Sequence, residues 1–191
     1  MLFVRHGETE ANKQRLALGR ADPPLTENGT AQAQALARRL EAERVEVVRA
    51  SPLRRARDTA APIAAAFGVE VVVDDRLIEL DYGEWDSTSF KDLPPAELAR
   101  WRNDPSFAPP GGESLRAVAA RVADFCTEMM AGPKLVAVSH VSPIKAAVTW
   151  ALGAGEELGW RMFLDLASIT RIAGRDGTPS LVGYNDVAHL R

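Results

Sequence analysis

Leu2-Phe3-Val4-Arg5-His6-Gly7-Glu8-Thr9 is an apolar run that stops abruptly at a cation, an imidazole and a glycine. Its length and composition are those of a buried strand, whose carboxyl end would deliver Arg5 and His6 to the space beyond. Arg5 offers a planar fork of donors suited to phosphate or carboxylate. His6 can be nucleophile, base or ligand near neutral pH, and Gly7 lets backbone approach a bound group. The triplet alone also fits an ordinary strand end with a paired arginine and a hydrogen-bonded histidine. Its meaning depends on what the other strands bring to the same edge.

Residues 8–25, with Gly19 and the Pro23-Pro24 pair, have the composition of a long loop beside Arg5-His6. Thr26 caps a helix expected to reach about Glu43, with Ala33, Leu36, Ala37 and Leu40 as its core-facing stripe. A short strand is expected over 45–48, and Ser51-Pro52 reads as an N-cap followed by proline at the first helical position. The helix so begun carries Arg54, Arg55 and Arg57 in its first turns, where the backbone already favours anions. One of Arg54 and Arg55 has to face inward, while Arg57 belongs to a solvated face. Pro62 is expected to break or kink this helix before it ends at Gly68.

A buried strand is expected over 69–73, and the carboxylates Glu79, Asp81 and Glu84 follow it. Residues 86–113 are proline-rich and read as a lid-like insertion around a short helix from about 95 to 102. Phe90, Trp101 and Phe107 are expected to form that insertion's own small core, with a pocket wall as the alternative. A strong amphipathic helix opens at Ser114, with Leu115, Val118, Val122, Phe125 and Cys126 on its apolar face. A buried strand over 134–138 delivers Ser139-His140, and Ser142-Pro143 repeats the cap-plus-proline signature. Strands are expected over 162–166, 168–173 and 181–184, with a hairpin connection at 174–177.

Strands alternating with helices over 191 residues specify an α/β fold: a three-layer sandwich with a mostly parallel central sheet, helices on both faces, and the 86–113 insertion, all in one domain, 1–191. Hydrophobic content of 46%, charged content of 26% and a net charge of −3 exclude disorder and make nucleic acid an unsuitable partner. The single Cys126 excludes an intramolecular disulfide and a multi-cysteine metal site. With no leader and no membrane-length apolar run read from the sequence, the expectation is a cytoplasmic protein without a membrane partner. No apolar stripe stands apart from the expected core, so oligomeric state is not assigned.

Four strands thus place Arg5 with His6, the Arg54/Arg55 pair, Glu79, and His140 on the edge where open α/β sheets bind ligands. Paired arginines and imidazoles suit a phosphoryl group, whose oxygens need neutralisation before a nucleophile approaches, and a carboxylate alongside can protonate a leaving alcohol. Two histidines and a carboxylate can also hold zinc or iron. Adjacent arginines argue against that metal, because fixed cations repel a bound one.

Arg5-His6-Gly7-Glu8-Thr9 with Asn12, Pro24-Leu25-Thr26, Ser51-Pro52-Leu53-Arg54-Arg55-Ala56, Glu79 before Tyr82-Gly83, and His140 resemble, in order and spacing, the histidine phosphatase (phosphoglycerate mutase-like) superfamily, in its short bacterial phosphatase branch. The closing stretch from Tyr184 to Leu190 is similar to ends found there. The resemblance implies that His6 attacks phosphorus and becomes a phosphohistidine, that Arg5, Arg55 and His140 hold phosphoryl oxygens, and that Glu79 protonates the leaving oxygen and then deprotonates water. Asn12, Gly19 and the Val141 N–H are the candidate substrate-binding positions. No metal or cofactor is implied, and the partner is a small phosphorylated metabolite. His6 has to be neutral to attack, so a backbone carbonyl should hold its other ring nitrogen. Asp81 and Glu84 are expected to be surface or supporting groups, and His189 is expected to be solvated.

The chain departs from the pattern at Val141-Ser142-Pro143, where glycines are usual, at Lys145 and Leu16, where arginine is usual, and at Asp86-Ser87 in place of Glu-Gly. These changes bear on substrate recognition rather than on catalysis. The expected activity is a phosphomonoesterase. A cofactor-primed phosphoglycerate mutase is the first alternative, disfavoured because mutases of the family are longer, and a phosphate-binding module without catalysis is the second.

Overall fold

The computed structural model of the protein describes residues 1–175 and 177–191. Strands β1 (Leu2–Arg5), β2 (Val47–Ala50), β3 (Val71–Val73) and β4 (Leu135–Ser139) pair in parallel. Strands β5 (Ile169–Arg175) and β6 (Thr178–Asp186) add an antiparallel hairpin beside β1, giving the order β3-β2-β4-β1-β5-β6. Among the described residues the α-helices are α1 (Glu10–Lys13), α2 (Glu27–Leu40), α3 (Arg54–Phe67), α4 (Pro95–Asn103), α5 (Leu115–Met130) and α6 (Val141–Leu152).

The two-residue period of a strand explains the layering. Leu2 and Val4 of β1 enter one apolar cluster with Leu36 and Leu40 of α2 and Ala60 and Ile63 of α3. Phe3 enters the opposite cluster with Val122 and Phe125 of α5 and Ile144 and Ala147 of α6. The fold is therefore the expected α/β sandwich with a mostly parallel sheet and helices on both faces. Fully buried side chains such as Phe3 and Phe125 contribute roughly 1.5–3 kcal/mol each. Thr26 caps α2 by accepting from the Gly29 N–H, and Ser114 caps α5 by accepting from Ala117.

Several local expectations are corrected. The second strand begins two residues later than expected, at Val47. The third lies at the sheet edge beside β2, so Val72 and Val73 are 44% and 48% exposed rather than buried. The α3 helix runs through Pro62 without interruption, giving up one backbone bond there. Neither Ser51 nor Ser142 is an N-cap: those positions are Leu53 and His140. Residues 162–166 form no strand, because Leu164 offers its carbonyl to Arg5 and Asp165 exchanges hydrogen bonds with Asn185. Asp176 of the expected 174–177 connection lies outside the described residues.

Between 86 and 113, Trp101 of α4 stacks on Phe90 at 6.0 Å and meets Tyr82 and Trp85 edge-on, and Phe107 packs on Trp85. These aromatics are continuous with the cluster around Phe3 and Phe125 rather than forming a core of their own. No helix among the described residues is long and apolar enough to cross a membrane.

Candidate active site

Parallel pairing of β1 with β4 sets Arg5 opposite Ser139, and the His6 N–H extends the ladder to the Ser139 carbonyl at 3.0 Å. The next side chains on both strands are histidines, so His6 and His140 emerge side by side with ring centroids 5.0 Å apart. Nδ1 of His6 lies 2.7 Å from the Gly7 carbonyl. A carbonyl only accepts, so Nδ1 carries the hydrogen and Nε2 keeps its lone pair. Burial, reinforced by the Arg55 and Arg5 cations, holds His6 well below the usual histidine range, which keeps the ring neutral. Burial followed by Arg55 does the same for His140.

The two arginines reach the imidazoles from different elements. Arg5 ends β1 and anchors its Nη1 on the Leu164 carbonyl at 2.6 Å. Arg55 is fully buried at the start of α3, donating to Ala21 O at 2.7 Å and Gly19 O at 2.8 Å, whereas Arg54 is exposed and paired with Asp58. One arginine of the pair faces inward, as its place on the helix demanded. Burial pushes Arg5 down to about 10 against the pull of Glu79, leaving it protonated at neutral pH. Among the described residues Nε of Arg5, Nε of Arg55 and Nδ1 of His140 are buried without a hydrogen-bond partner. Arg20, Arg49, Trp101, Tyr184 and His189 also keep one such atom each, but only Arg5, Arg55 and His140 act on His6, the arginines through their charge and His140 with its ring 5.0 Å away; buried polar atoms are nearly always satisfied, so these three are candidate partners for an acceptor beside His6.

Glu79 is buried in the loop after the 3₁₀ turn Asp75–Leu77. Its Oε1 accepts from the Leu80 and Ser142 N–H groups at 2.8 and 3.2 Å, and its Oε2 accepts from Val141 at 3.1 Å. The Val141 N–H, expected to face a ligand oxygen, is thus engaged by Glu79. Gly19 is likewise engaged on both sides, with its N–H on Asp86 and its carbonyl on Arg55. Thr9 caps α1 and Asn12 closes the capping box by accepting from the Thr9 N–H, and Asn12 lines an open groove with Arg5, Arg15 and Asp165. Gly7 provides clearance for protein rather than for ligand, since a Cβ there would come within 2.5 Å of the Gly29 carbonyl.

Four supporting residues have roles that their sequence positions did not announce. Ser51 is fully buried, with Oγ 2.7 Å from His140 Nε2 while accepting from the Leu53 N–H. Thr59 receives the Gly7 N–H at 3.0 Å. Asp86 gathers the N–H groups of Gly19, Arg20 and Ala21 within 2.8–2.9 Å, so a single carboxylate shapes the loop that Arg55 also grips. Arg121 of α5 donates to the Glu79 carbonyl at 3.3 Å and to Glu113. Asp81 binds the Gly83 N–H, as expected of a supporting group. His189 is half-buried and bound to the Ala167 carbonyl at 3.0 Å instead of being solvated. Among the described residues no group of three or more His, Cys, Asp or Glu side chains is placed to hold a metal ion.

A neutral imidazole with a free lone pair, ringed by a second imidazole and two guanidinium groups and flanked by a carboxylate on an α/β sheet edge, defines a phosphoryl-handling class of protein. The chain belongs to the histidine phosphatase superfamily (branch 1), whose sequence pattern matches residues 1–187. It is 41% identical over 200 residues to a bifunctional protein of Mycobacterium tuberculosis, an alignment covering 100% of this chain and 54% of that protein, so the chain spans about half the length of that relative. Phosphoserine phosphatase 1 of Hydrogenobacter thermophilus is 34% identical over 197 residues, with 100% of this chain and 93% of that protein covered. A mycobacterial glucosyl-3-phosphoglycerate phosphatase, solved in complex with VO3, superposes with a TM-score of 0.88 at 32% identity, over 97% of this chain and 98% of its own.

Proposed function

We propose that the protein is a phosphomonoesterase that hydrolyses a small phosphorylated metabolite through a phosphohistidine on His6. The observation that carries this reading is a neutral His6 with the His140 ring 5.0 Å away and the buried Arg5 and Arg55 cations acting on it, while Arg5 Nε, Arg55 Nε and His140 Nδ1 are without partners. Phosphoryl oxygens satisfy those donors and leave phosphorus facing the lone pair of Nε2. In the first step a bond forms from Nε2 to phosphorus as the ester P–O bond breaks, and Glu79 gives the leaving oxygen its proton. In the second, Glu79 takes a proton from water, the water oxygen attacks phosphorus, and the N–P bond breaks to release phosphate.

For His140 to donate from Nδ1 while remaining neutral, its Nε2 has to accept. Ser51 supplies that hydrogen from its hydroxyl. The whole chain, 1–191, acts in this reading as one domain with 86–113 as its lid. A likeness to a phosphoserine phosphatase and a glucosyl-3-phosphoglycerate phosphatase supports a small-metabolite ester as substrate.

The test is turnover of p-nitrophenyl phosphate with and without EDTA, in native protein and in His6→Ala. The expected result is EDTA-resistant turnover that falls below detection in His6→Ala, with a phosphorylated species trapped by rapid quench only when His6 is present. No turnover by the native protein would assign a phosphate-binding module instead, and loss with EDTA would restore the metal. Isomerisation of 3-phosphoglycerate outpacing phosphate release would assign the mutase.

A further inference from the structure

A small cleft lies against the first turns of α6, beside Val141 and Ser142, whose N–H groups hold the Glu79 carboxylate. Its aromatic wall is Trp101 with Trp160, the rings edge-on at 4.6 Å and Trp160 still 38% exposed. Two charged side chains, Lys145 and Glu156, border the same space, and among the described residues neither forms an ion pair or a hydrogen bond.

The stem of Lys145 lies along Gly159, where an added Cβ would stand 3.8 Å from its Cβ and Cδ, so the side chain rests on the cleft wall instead of extending into solvent. Burial lowers the Lys145 ammonium from its usual range while the nearby Glu79 carboxylate pulls it back up. Glu79 is already held by three backbone N–H groups and makes no ion pair with Lys145, and a cation partly withdrawn from water without a direct ion pair gains from an anion that reaches it. The Arg5 and Arg55 donors already account for a phosphoryl group, so this second anion belongs to another part of the substrate.

We propose that Lys145 is a specificity-determining residue that receives a carboxylate carried by the alcohol portion of the ester. Trp101 and Trp160 cover the apolar face of that portion, and Glu156 accepts from a hydroxyl or ammonium on it. The ligand class is a phosphomonoester of a carboxylated alcohol. A second phosphate in the same place would set a dianion against Glu156 and Glu79. A single carboxylate matches the one ammonium, whose three rotating donors need no bidentate geometry. The assignment of the ligand as a substrate rests on the phosphomonoesterase reading; the binding preference does not.

Binding is measured calorimetrically on His6→Ala protein, which keeps esters intact, with two matched pairs: O-phosphoserine against O-phosphoethanolamine, and O-phosphotyrosine against O-phosphotyramine. In at least one pair the carboxylated member should bind about 10- to 100-fold tighter, the value of a hydrogen bond to a charged group. Adding Lys145→Met should bring the ratio close to one, and Lys145→Arg should restore most of it. Lys145→Gln serves if the Met variant fails to fold. Equal binding within both pairs, or a preference that survives Lys145→Met, would overturn the proposal. Absence of p-nitrophenyl phosphate turnover by native protein, with the preference intact, would overturn the phosphomonoesterase reading and leave Lys145 as the reader of a carboxylated ligand.

Discussion

Ser51→Ala is the most informative single change, because Ser51 touches the chemistry only through His140. Its Oγ stands 2.7 Å from His140 Nε2 and also accepts the Leu53 N–H, with both Ser51 and His140 fully buried. Alanine leaves two buried polar atoms without partners, a loss of about 1–3 kcal/mol. For a chain of this size, 191 residues, that lowers Tm by about 2–12 °C. The functional effect is separate. Without the serine hydroxyl nothing fixes the hydrogen on His140 Nδ1, so a fraction of the protein presents a lone pair to the phosphoryl oxygen. Loss of a whole oxyanion donor costs about 10²–10³ in rate, and loss of its orientation should cost less, about 10- to 100-fold. The fall should appear in kcat for p-nitrophenyl phosphate, be recovered in Ser51→Thr, and accompany a shift of the His140 ring toward the Nε2–H tautomer by nitrogen NMR. A folded Ser51→Ala protein with native kcat, or one whose tautomer is unchanged while kcat falls, would refute the role given to Ser51.

Arg55→Met should lose activity and stability together, about 10²-fold or more in kcat/KM, because Arg55 also holds the carbonyls of Gly19 and Ala21; Tm and kcat/KM measured on one preparation check this. Asp86→Ala should leave chemistry at His6 intact but free the Gly19, Arg20 and Ala21 N–H groups, seen as faster amide exchange at those positions and a raised KM. His6 and His140 are buried with their pKa values lowered, so below about pH 6.5 the unfolded chain binds protons that the folded one refuses. Each then removes up to ~1.4 kcal/mol of stability per pH unit as pH falls from 6.5 toward the folded value. Urea midpoints should drop accordingly between pH 6.5 and 5, with a shallower slope in His6→Gln, and equal slopes would contradict a neutral buried His6.

Periodicity and local chemistry made much of this structure readable in advance. The unbroken apolar runs became β1 and β4, and the stripes of Ala33-Leu36-Ala37-Leu40 and Val118-Val122-Phe125 became the inner faces of α2 and α5. His6, Arg55, Glu79 and His140 were legible because each follows a strand, and strand ends on one sheet edge converge whatever lies between them. What stayed hidden depends on partners distant in the chain. Nothing near Asp86 indicates that its carboxylate closes over Gly19, 67 positions earlier. Ser51 carries a convincing local cap signature that was overridden when His140, 89 positions later, took its hydroxyl. Residues 69–73 read as a buried strand, but position in the sheet decides exposure, and β3 lies on the edge.

The register of β1 against β4 has one further consequence. With Arg5 level with Ser139, the spacing between the two imidazoles is inherited from the step between neighbouring strands, about 4.8 Å in any sheet. The sheet acts as a ruler: the loops and the cleft can be rebuilt without moving one imidazole relative to the other. A single residue inserted before His6 or His140 would instead turn one imidazole to the opposite face of the sheet, abolishing the pairing while leaving the apolar pattern downstream intact.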